Sequence, residues 1–472
     1  MKSTLHARSG RAFPPIPLDP SIRSQALRVH SALRAAIVDG ALAPGARLPS
    51  SRDMAARLGV GRNVVVAAFE HLMSDGLIEG RRGSGTFVSA RLPPPPRAAA
   101  SPDVAPLFGP RKPFALGQTH VEPSFLARLG GAARRHIAEA SLADLSYGDP
   151  RGSARLRREI AEFLAVNRGV RCDPDCVVIV SGTQHALRLC VDALLSPGDS
   201  VWVEEPGYFV SRNTLSAAGM RLAPVPVDAG GLDVAAGVAL APQARAAYVT
   251  PSHQFPTGVT LEMSRRTALI EWAETTGAWI FEDDYDSEFR YSGPPLTALA
   301  SLSPHRVIYL GTFAKTLFPG LRLGYLVAPP EALARILRSR AAIDRFPPVF
   351  LQNALADLMA DGAFAAHLRK SLRRYRAARD LVAEVIAPAS QGLLRPDVPD
   401  QGLHMIAWLR EGAERAREIR RQAAVEAVLF SETLMRPGAA EGFVLGFSGY
   451  DEDALRAAAT SLATTALRLA GR

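Results

Sequence analysis

Lys315 carries the most specific chemistry in the chain. Only Lys112, Lys315 and Lys370 follow residue 88. Lys112 stands in a Pro-rich stretch and Lys370 in an Arg-rich helical one. Lys315 instead follows the apolar run Val307-Ile308-Tyr309-Leu310, through Gly311-Thr312-Phe313-Ala314. An amine at the end of a buried strand is poorly hydrated, so its neutral, nucleophilic form is favoured and it can condense with a carbonyl. A second apolar run, Ala278-Trp279-Ile280-Phe281, ends in Glu282-Asp283-Asp284-Tyr285-Asp286. An acid there can hold the proton of a ring nitrogen, and the phenol of Tyr285 can face a ring oxygen. Ser181-Gly182-Thr183-Gln184 follows Val177–Val180 and opens a helical run. Free N–H groups at a helix start, with hydroxyls, receive a phosphate. Thr312 and Arg322 flank Lys315 and add a hydroxyl and a guanidinium. Tyr208, in Glu205-Pro206-Gly207-Tyr208, offers a stacking face. Amine, ring-nitrogen acid, phosphate cup and stacking face are together what pyridoxal 5'-phosphate (PLP) requires of a protein.

These groups need elements that bring them together. Val177–Val180, Ser200–Val203, Ala247–Val249, Trp279–Phe281 and Val307–Leu310 read as short strands, each ending in a polar or Gly-containing loop. Helical stretches alternate with them, which predicts an α/β domain with a mostly parallel sheet over 114–472. Ligands on such sheets gather at the carboxyl ends of the strands, where the residues above fall.

A second constellation lies near the start. Up to Val88 there are twelve Lys/Arg against six Asp/Glu, so +6 of the chain's +9 sits in under a fifth of its 472 residues. A compact basic segment points to a polyanion partner. Ile22, Ala26, Val29, Leu33 and Ile37 recur at helical spacing, and Gly40 and Pro44 stop that helix. Ser50, with Asp53 at capping-box distance, starts a short second helix. Gly59-Val60-Gly61 turns into a third, with Val65, Phe69 and Leu72 on one stripe. Leu77-Ile78 and Thr86-Phe87-Val88 then flank the basic, Gly-rich tip Gly80–Gly85. Helix, helix-turn-helix and hairpin make a winged helix over 20–88, whose partner would be double-stranded DNA. Arg62 and Asn63 open the recognition helix, where Arg suits guanine and Asn suits adenine. Arg47 and Arg52 are placed for phosphate or base contact, and the wing tip for the backbone or minor groove. Residues 89–113, with Pro93-Pro94-Pro95-Pro96, should be an extended, semi-stiff linker.

The remaining bounds are brief. Three cysteines, without a completing His/Cys set, predict no metal site and suit a reducing compartment. No leader and no apolar run near ~20 residues is evident, so no membrane role and a cytoplasmic location are expected.

Several motifs resemble known families. Gly45-Ala46-Arg47-Leu48-Pro49-Ser50-Ser51-Arg52, Leu58-Gly59-Val60-Gly61-Arg62-Asn63 and Gly83-Ser84-Gly85-Thr86-Phe87-Val88 resemble the GntR family of winged-helix regulators. That resemblance implies DNA contacts by Arg52, Arg62, Asn63 and Gly85. Where some members carry a further recognition-helix Arg, this chain has Val66. From Phe114 onward the order of motifs resembles class I/II aminotransferases of PLP fold type I. The likeness implies Lys315 as the aldimine lysine, Asp283 as pyridinium partner, Tyr285 at the 3'-oxygen and Tyr208 as the stacking ring. It further implies Gly182, Thr183, Thr312 and Arg322 as phosphate ligands. Tyr147, in Tyr147-Gly148-Asp149-Pro150-Arg151-Gly152, resembles the tyrosine that reaches the phosphate from the other subunit of a dimer. Two positions depart from the pattern. Phe255-Pro256-Thr257-Gly258 stands where aminotransferases have Asn-Pro-x-Gly, and Val444 where their carboxylate-gripping Arg falls. Pro251–Gly258 and Glu282–Phe289 together resemble the MocR type of GntR regulators, which implies head-to-tail homodimers with bound PLP. The expected function is a PLP-dependent transcription regulator that senses PLP, an amine or an amino acid at Lys315. The alternatives are an active aminotransferase with a DNA-binding appendage, and a cofactor-free dimerisation scaffold.

Overall fold

A computed structural model describes residues 13–91, 112–345 and 348–471. Most of the Pro-rich linker expected at 89–113 lies outside the described residues. The chain divides between Leu107 and Phe108 into two compact units.

The first unit has the helix order read from the sequence. Helix α1 (Gln25–Val38) buries Val29, Leu33 and Ile37, and Ser24 caps it by accepting from Leu27 N. In α2 (Ser51–Leu58) the cap is Ser50, whose Oγ accepts from Asp53 N at 3.2 Å. Gly59 ends α2 in the left-handed region at φ 66°, where a side chain would be strained. Helix α3 (Arg62–Ser74) buries Val65, Ala68, Phe69 and Leu72. Strands β1 (Ile78–Arg81) and β2 (Gly85–Val88) pair antiparallel. The hairpin is longer than expected: β1 runs through Arg81, leaving Arg82-Gly83-Ser84 as the tip. One added bridge, Arg47 to Phe87, lays the α1–α2 connection along β2.

The second unit is built on an eight-stranded sheet. Its strands are β3 (Val177–Val180), β4 (Ser200–Glu205), β5 (Arg221–Asp228), β6 (Gly231–Leu232), β7 (Ala246–Val249), β8 (Trp279–Asp284), β9 (Val307–Thr312) and β10 (Gly324–Val327). Their order is β3-β10-β9-β8-β7-β4-β5-β6. The central β9-β8-β7-β4-β5 stretch is parallel; β10 runs against both neighbours. Alternate residues feed two cores. Val177 and Ile179 join one, Val178 and Val180 the other. Both faces are apolar, which is why these strands read as unbroken hydrophobic runs. A four-stranded antiparallel sheet follows, ordered β11 (Leu394–Asp397), β12 (His404–Leu409), β14 (Glu441–Gly446) and β13 (Val428–Leu429). The helices Ala363–Ala389 and Glu452–Ala470 pack on it. Among the described residues no helix is long and apolar enough to cross a membrane.

Polar side chains are buried at the end of β8. Arg168 Nε donates to Asp284 Oδ2 at 2.7 Å, and Tyr309 OH donates to the same oxygen at 2.5 Å. Both Glu282 oxygens accept backbone N–H groups, from Leu299 and Ala300 at 2.8 Å. Glu288 Oε2 is buried without a partner, and burial, with Asp284 adding, pushes Glu288 up to about 8. A carboxyl raised in this way keeps its proton in the folded chain while the unfolded chain ionises at an ordinary pH. Its stabilising contribution is present below the ordinary value of 4.5 and is lost as pH rises towards 8. Glu288→Gln is therefore expected to flatten the fall of melting temperature between pH 5 and 8, by up to about one linked proton. Identical slopes in variant and wild type would refute this.

Candidate functional site

The strand ends β3, β8 and β9 converge on one cavity of about 520 Å³. Gly182, Thr183, Tyr208, Asp283, Tyr285, Thr312, Lys315 and Arg322 all line it. The residues singled out from the sequence for cofactor chemistry are thus neighbours, apart from Tyr147. That residue is 77% exposed and lies under the Arg345 guanidinium, 4.8 Å from the ring centre.

Each side chain has a local reason for its place. Gly182 precedes the helix Thr183–Leu194 at φ 125°, and no side chain caps that helix. Its first amides are left for another acceptor, which suits an anion. Arg322 sits in the left-handed region at φ 52°, a strained place for a residue with a Cβ. Such strain collects at ligand clamps. A Cβ on Gly182 would lie 3.7 Å from Arg322 Nη1, so the guanidinium closes over the helix start. Lys315 is packed so closely that a Cβ on Gly117 would come 2.4 Å from Nζ. Burial lowers the Lys315 pKa, and the charges of Asp286 and Asp283 oppose that.

Asp283 Oδ2 accepts from Tyr248 OH, while Oδ1 is buried with no partner. Burial raises Asp283 to about 7, against the lowering effect of the Tyr248 hydrogen bond. A buried, unpaired carboxylate oxygen calls for a proton donor, and a protonated ring nitrogen would supply one. Tyr285 OH donates to His253 O at 3.1 Å and lies 3.2 Å from His253 Nδ1. Tyr208 is half-buried, edge-on to Phe255 with ring centres 5.3 Å apart, and burial pushes its phenol up to about 12. Orphaned acceptor, crowded amine, uncapped helix start and aromatic wall fit PLP.

The two departures meet in space. Phe255 and Val444 belong to one buried cluster with Ile406 and Phe430, and Tyr208, Phe209 and Tyr285 pack against it. Apolar packing occupies the side of the cavity where an amide and a guanidinium were missing from the sequence.

Sequence reasoning missed Tyr248, Gly117 and His404. Tyr248 had been read only as a strand residue; its signal was a lone phenol on the strand beside the acid-bearing one. Gly117 gave no signal. His404 lines the cavity from β12, far along the chain.

On the first unit, Arg47, Arg52, Arg62, Asn63 and Gly85 are all exposed. Arg62 Nε reaches Ser51 Oγ at 3.4 Å, which brings the start of α3 beside the start of α2 and Arg52. Arg47 lies over Gly85: a Cβ there would be 3.2 Å from Arg47 Nε. The wing's Arg81 is tied to Glu79 at 2.7 Å and covers the Phe87 ring.

Comparison with known proteins follows the same division. Residues 25–88 match "Bacterial regulatory proteins, gntR family" and residues 126–450 match "Aminotransferase class I and II". A probable rhizopine catabolism regulatory protein MocR of Rhizobium meliloti is 36% identical, over 94% of each chain. An HTH-type pyridoxine biosynthesis transcriptional regulator PdxR of Corynebacterium glutamicum is 32% identical, over 94% of this chain and 96% of its own. Among solved structures, an archaeal alanine:glyoxylate aminotransferase has a TM-score of 0.68 at 27% identity, covering 75% of this chain and 90% of its own. The α-aminoadipate aminotransferase of Thermus thermophilus gives the same score and identity over 76% and 93%. Winged helix, aminotransferase-like unit and full-length relatives agree: the chain belongs to the MocR type of GntR-family transcription regulators.

Proposed function

We propose that this regulator holds PLP on Lys315 and binds operator DNA through Arg47, Arg52, Arg62, Asn63 and Gly85. The working arrangement is 20–88 as DNA-binding domain, 89–113 as linker and 114–472 as effector domain, in a cytoplasmic head-to-tail homodimer. The single observation that carries the cofactor reading is Asp283 Oδ1, unpartnered and buried in a residue that lines the same cavity as Lys315. Bound PLP supplies an aldehyde for amines and an electron-withdrawing ring. Asp283 then holds the ring-nitrogen proton, Tyr208 stacks, Tyr285 faces the 3'-oxygen, and Gly182, Thr183, Thr312 and Arg322 receive the phosphate. Tyr147 serves the partner's phosphate. Leu142, Leu145 and Tyr147 are 88%, 67% and 77% exposed, an apolar stretch that a second subunit would cover. The relative named for pyridoxine biosynthesis supports PLP supply as one signal.

The cavity wall also bears on the effector. Leu116, Phe209, Val210, Phe255, Leu403 and Val428 line it. Arg420 lines it too, but Glu432 holds that guanidinium at 2.7 and 2.9 Å. With Arg322 committed to phosphate, the wall favours an amine with an apolar substituent over an α-amino acid. A ligand shifts DNA binding only through different affinities for the two dimer states. Titrating the holoprotein with isoamylamine and with leucine, by absorbance and by operator affinity, tests this. Isoamylamine should bind at least about tenfold more tightly; leucine binding as well, and shifting DNA affinity, would overturn it. The same residues leave amino-group transfer chemically open, and steady turnover with an amino donor and a keto acid would establish an enzyme.

A further inference from the structure

The chain enters the effector unit through a segment that runs against Lys315. Lys112 is the first described residue after the linker, and Gly117, shortly after it, meets the amine. A Cβ on Gly117 would lie 2.4 Å from Lys315 Nζ and 3.7 Å from Cε, so no further atom fits between backbone and amine. Leu116 and Gly117 line the cavity together with Lys315 and Glu426. Gly117 is in the left-handed region at φ 74°, and so is Phe114 at φ 69°, a costly conformation for a residue with a side chain. Phe114 is fully buried, in the core that holds Phe443 and Leu445, so packing fixes that bend.

Both flanks of Gly117 are tied down. Before it, Lys112 N donates to Glu426 Oε2 at 3.0 Å, Glu426 N donates to Pro113 O at 2.9 Å, and Tyr450 OH donates to Lys112 O at 2.7 Å. Phe114 bridges to Gly446, whose N donates to Phe114 O at 3.0 Å. A Cβ on Gly446 would come 2.5 Å from Ala115 O, so the segment lies flush on the end of β14. After Gly117, Thr119 Oγ1 donates to Leu317 O at 2.5 Å and His120 N donates to Tyr375 OH at 3.0 Å. A segment tied at both ends and filled against Nζ in between cannot admit a ligand atom there by a local shift; a tie must open. The bond from Lys112 to Glu426 is exposed to solvent, so it opens at lower cost than the buried Phe114 contact. It is also the tie nearest the linker.

We propose that Glu426 is a positioning residue: it clasps Lys112-Pro113 and so seats Gly117 against Lys315, and an amine ligand beside Nζ opens the clasp and loosens the chain where it joins the linker. The inference rests on PLP being held at Lys315 and amines being sensed there. The two states that the ligand discriminates are the seated and the released segment, since only the released one leaves room beside Nζ.

The experiment is hydrogen exchange of the PLP-loaded full-length protein, read on residues 112–120 by mass spectrometry, with operator affinity measured on the same samples. Isoamylamine is the probe, or leucine where leucine is what perturbs the visible band. Bound amine should speed exchange of this stretch at least about fivefold and leave β9 unmoved. It should change operator affinity about fivefold or more. Lys112→Pro removes the donated N–H without touching the cavity. Its residues 112–120 should exchange fast with or without amine, its band should be that of wild type, and its operator response should drop to within about twofold of none. Glu426→Ala should lose the response too, and Glu426→Gln, which keeps an oxygen acceptor, should restore it. That pair carries the test if Lys112→Pro does not fold. Exchange unmoved by amine, an operator response that survives in Lys112→Pro, or equal responses in the two Glu426 variants overturn the inference while leaving the cofactor reading intact. A band that neither amine perturbs overturns it together with amine sensing, and no band, even with added PLP, overturns the cofactor reading as well.

Discussion

Lys315→Ala is expected to remove the visible band of covalently held PLP at every cofactor concentration, and borohydride is then expected to fix nothing to the chain. Among the described residues no other amine lines the cavity. Lys112 and Lys370 are exposed, neither lines the cavity, and Lys370 is 3.9 Å from Glu122. The variant should fold normally, because the substitution removes a poorly hydrated amine. An unpaired buried polar group costs stability and a lost one relieves it. The phosphate cup persists, so the cofactor still binds weakly and without covalent attachment. Wild type and variant, reduced with borohydride and weighed by mass spectrometry, give the comparison. One cofactor mass on wild-type Lys315 and none on the variant is the expected pair. Label on the variant, or on a different lysine in wild type, would sink the assignment. The same samples report on regulation. If Lys315 couples effector to operator, the variant binds DNA but its affinity no longer changes with amine or PLP.

What the sequence revealed of this site, and what it hid, divides along a physical line. The strands β3, β4, β7, β8 and β9 were legible because both faces of the sheet are covered, which forces continuous apolar runs. Lys315, Asp283 and Gly182 were legible because they end those runs, where a parallel sheet presents its ligands. The N-terminal unit was legible from caps and stripes: Ser50 accepts from Asp53 as its spacing predicts, and Val65, Phe69 and Leu72 are buried. Tyr248 was not legible, because its meaning depends on register. Tyr248 pairs with Phe281 across β7 and β8, so its hydroxyl reaches Asp283, two residues further on. Gly117 and Gly402 were hidden for a similar reason, since each is defined by a side chain far away, Lys315 in one case and His253 in the other. Phe255 and Val444 were seen separately as departures. Their place in one buried apolar cluster explains why the changes belong together: a guanidinium at 444 would be buried in the cluster that holds Phe255, so an apolar residue at one position favours an apolar residue at the other.

Arg62→Ala and Arg47→Ala should both weaken operator binding, and in distinguishable ways. Arg62 opens α3, is exposed, and is steadied by Ser51 Oγ, so it is presented to a groove rather than folded back. A base-edge contact of this kind contributes about 1–3 kcal/mol per half-site. A dimer makes it twice, so the loss is about 2–6 kcal/mol, roughly 30-fold to more than ten-thousandfold. Discrimination between operator and mutated operator should fall with it, while the dependence on salt barely changes. Arg47 sits over Gly85 at the wing, where the absence of a side chain lets the guanidinium and the backbone approach together. A phosphate contact there adds affinity on any sequence, so Arg47→Ala should weaken specific and non-specific binding alike. It should also reduce the slope of log affinity against log salt by about one per half-site. Gly85→Val would place a Cβ 3.2 Å from Arg47 Nε and at φ 110°, and should reproduce the Arg47 phenotype. Binding measured at several salt concentrations separates the two roles. If Arg62→Ala changes the salt slope and leaves discrimination intact, Arg62 touches phosphate, and the reading of bases passes to Asn63. The cofactor band should be unchanged in all these variants. The residues concerned belong to a unit with its own core of Val29, Leu33, Val65 and Leu72.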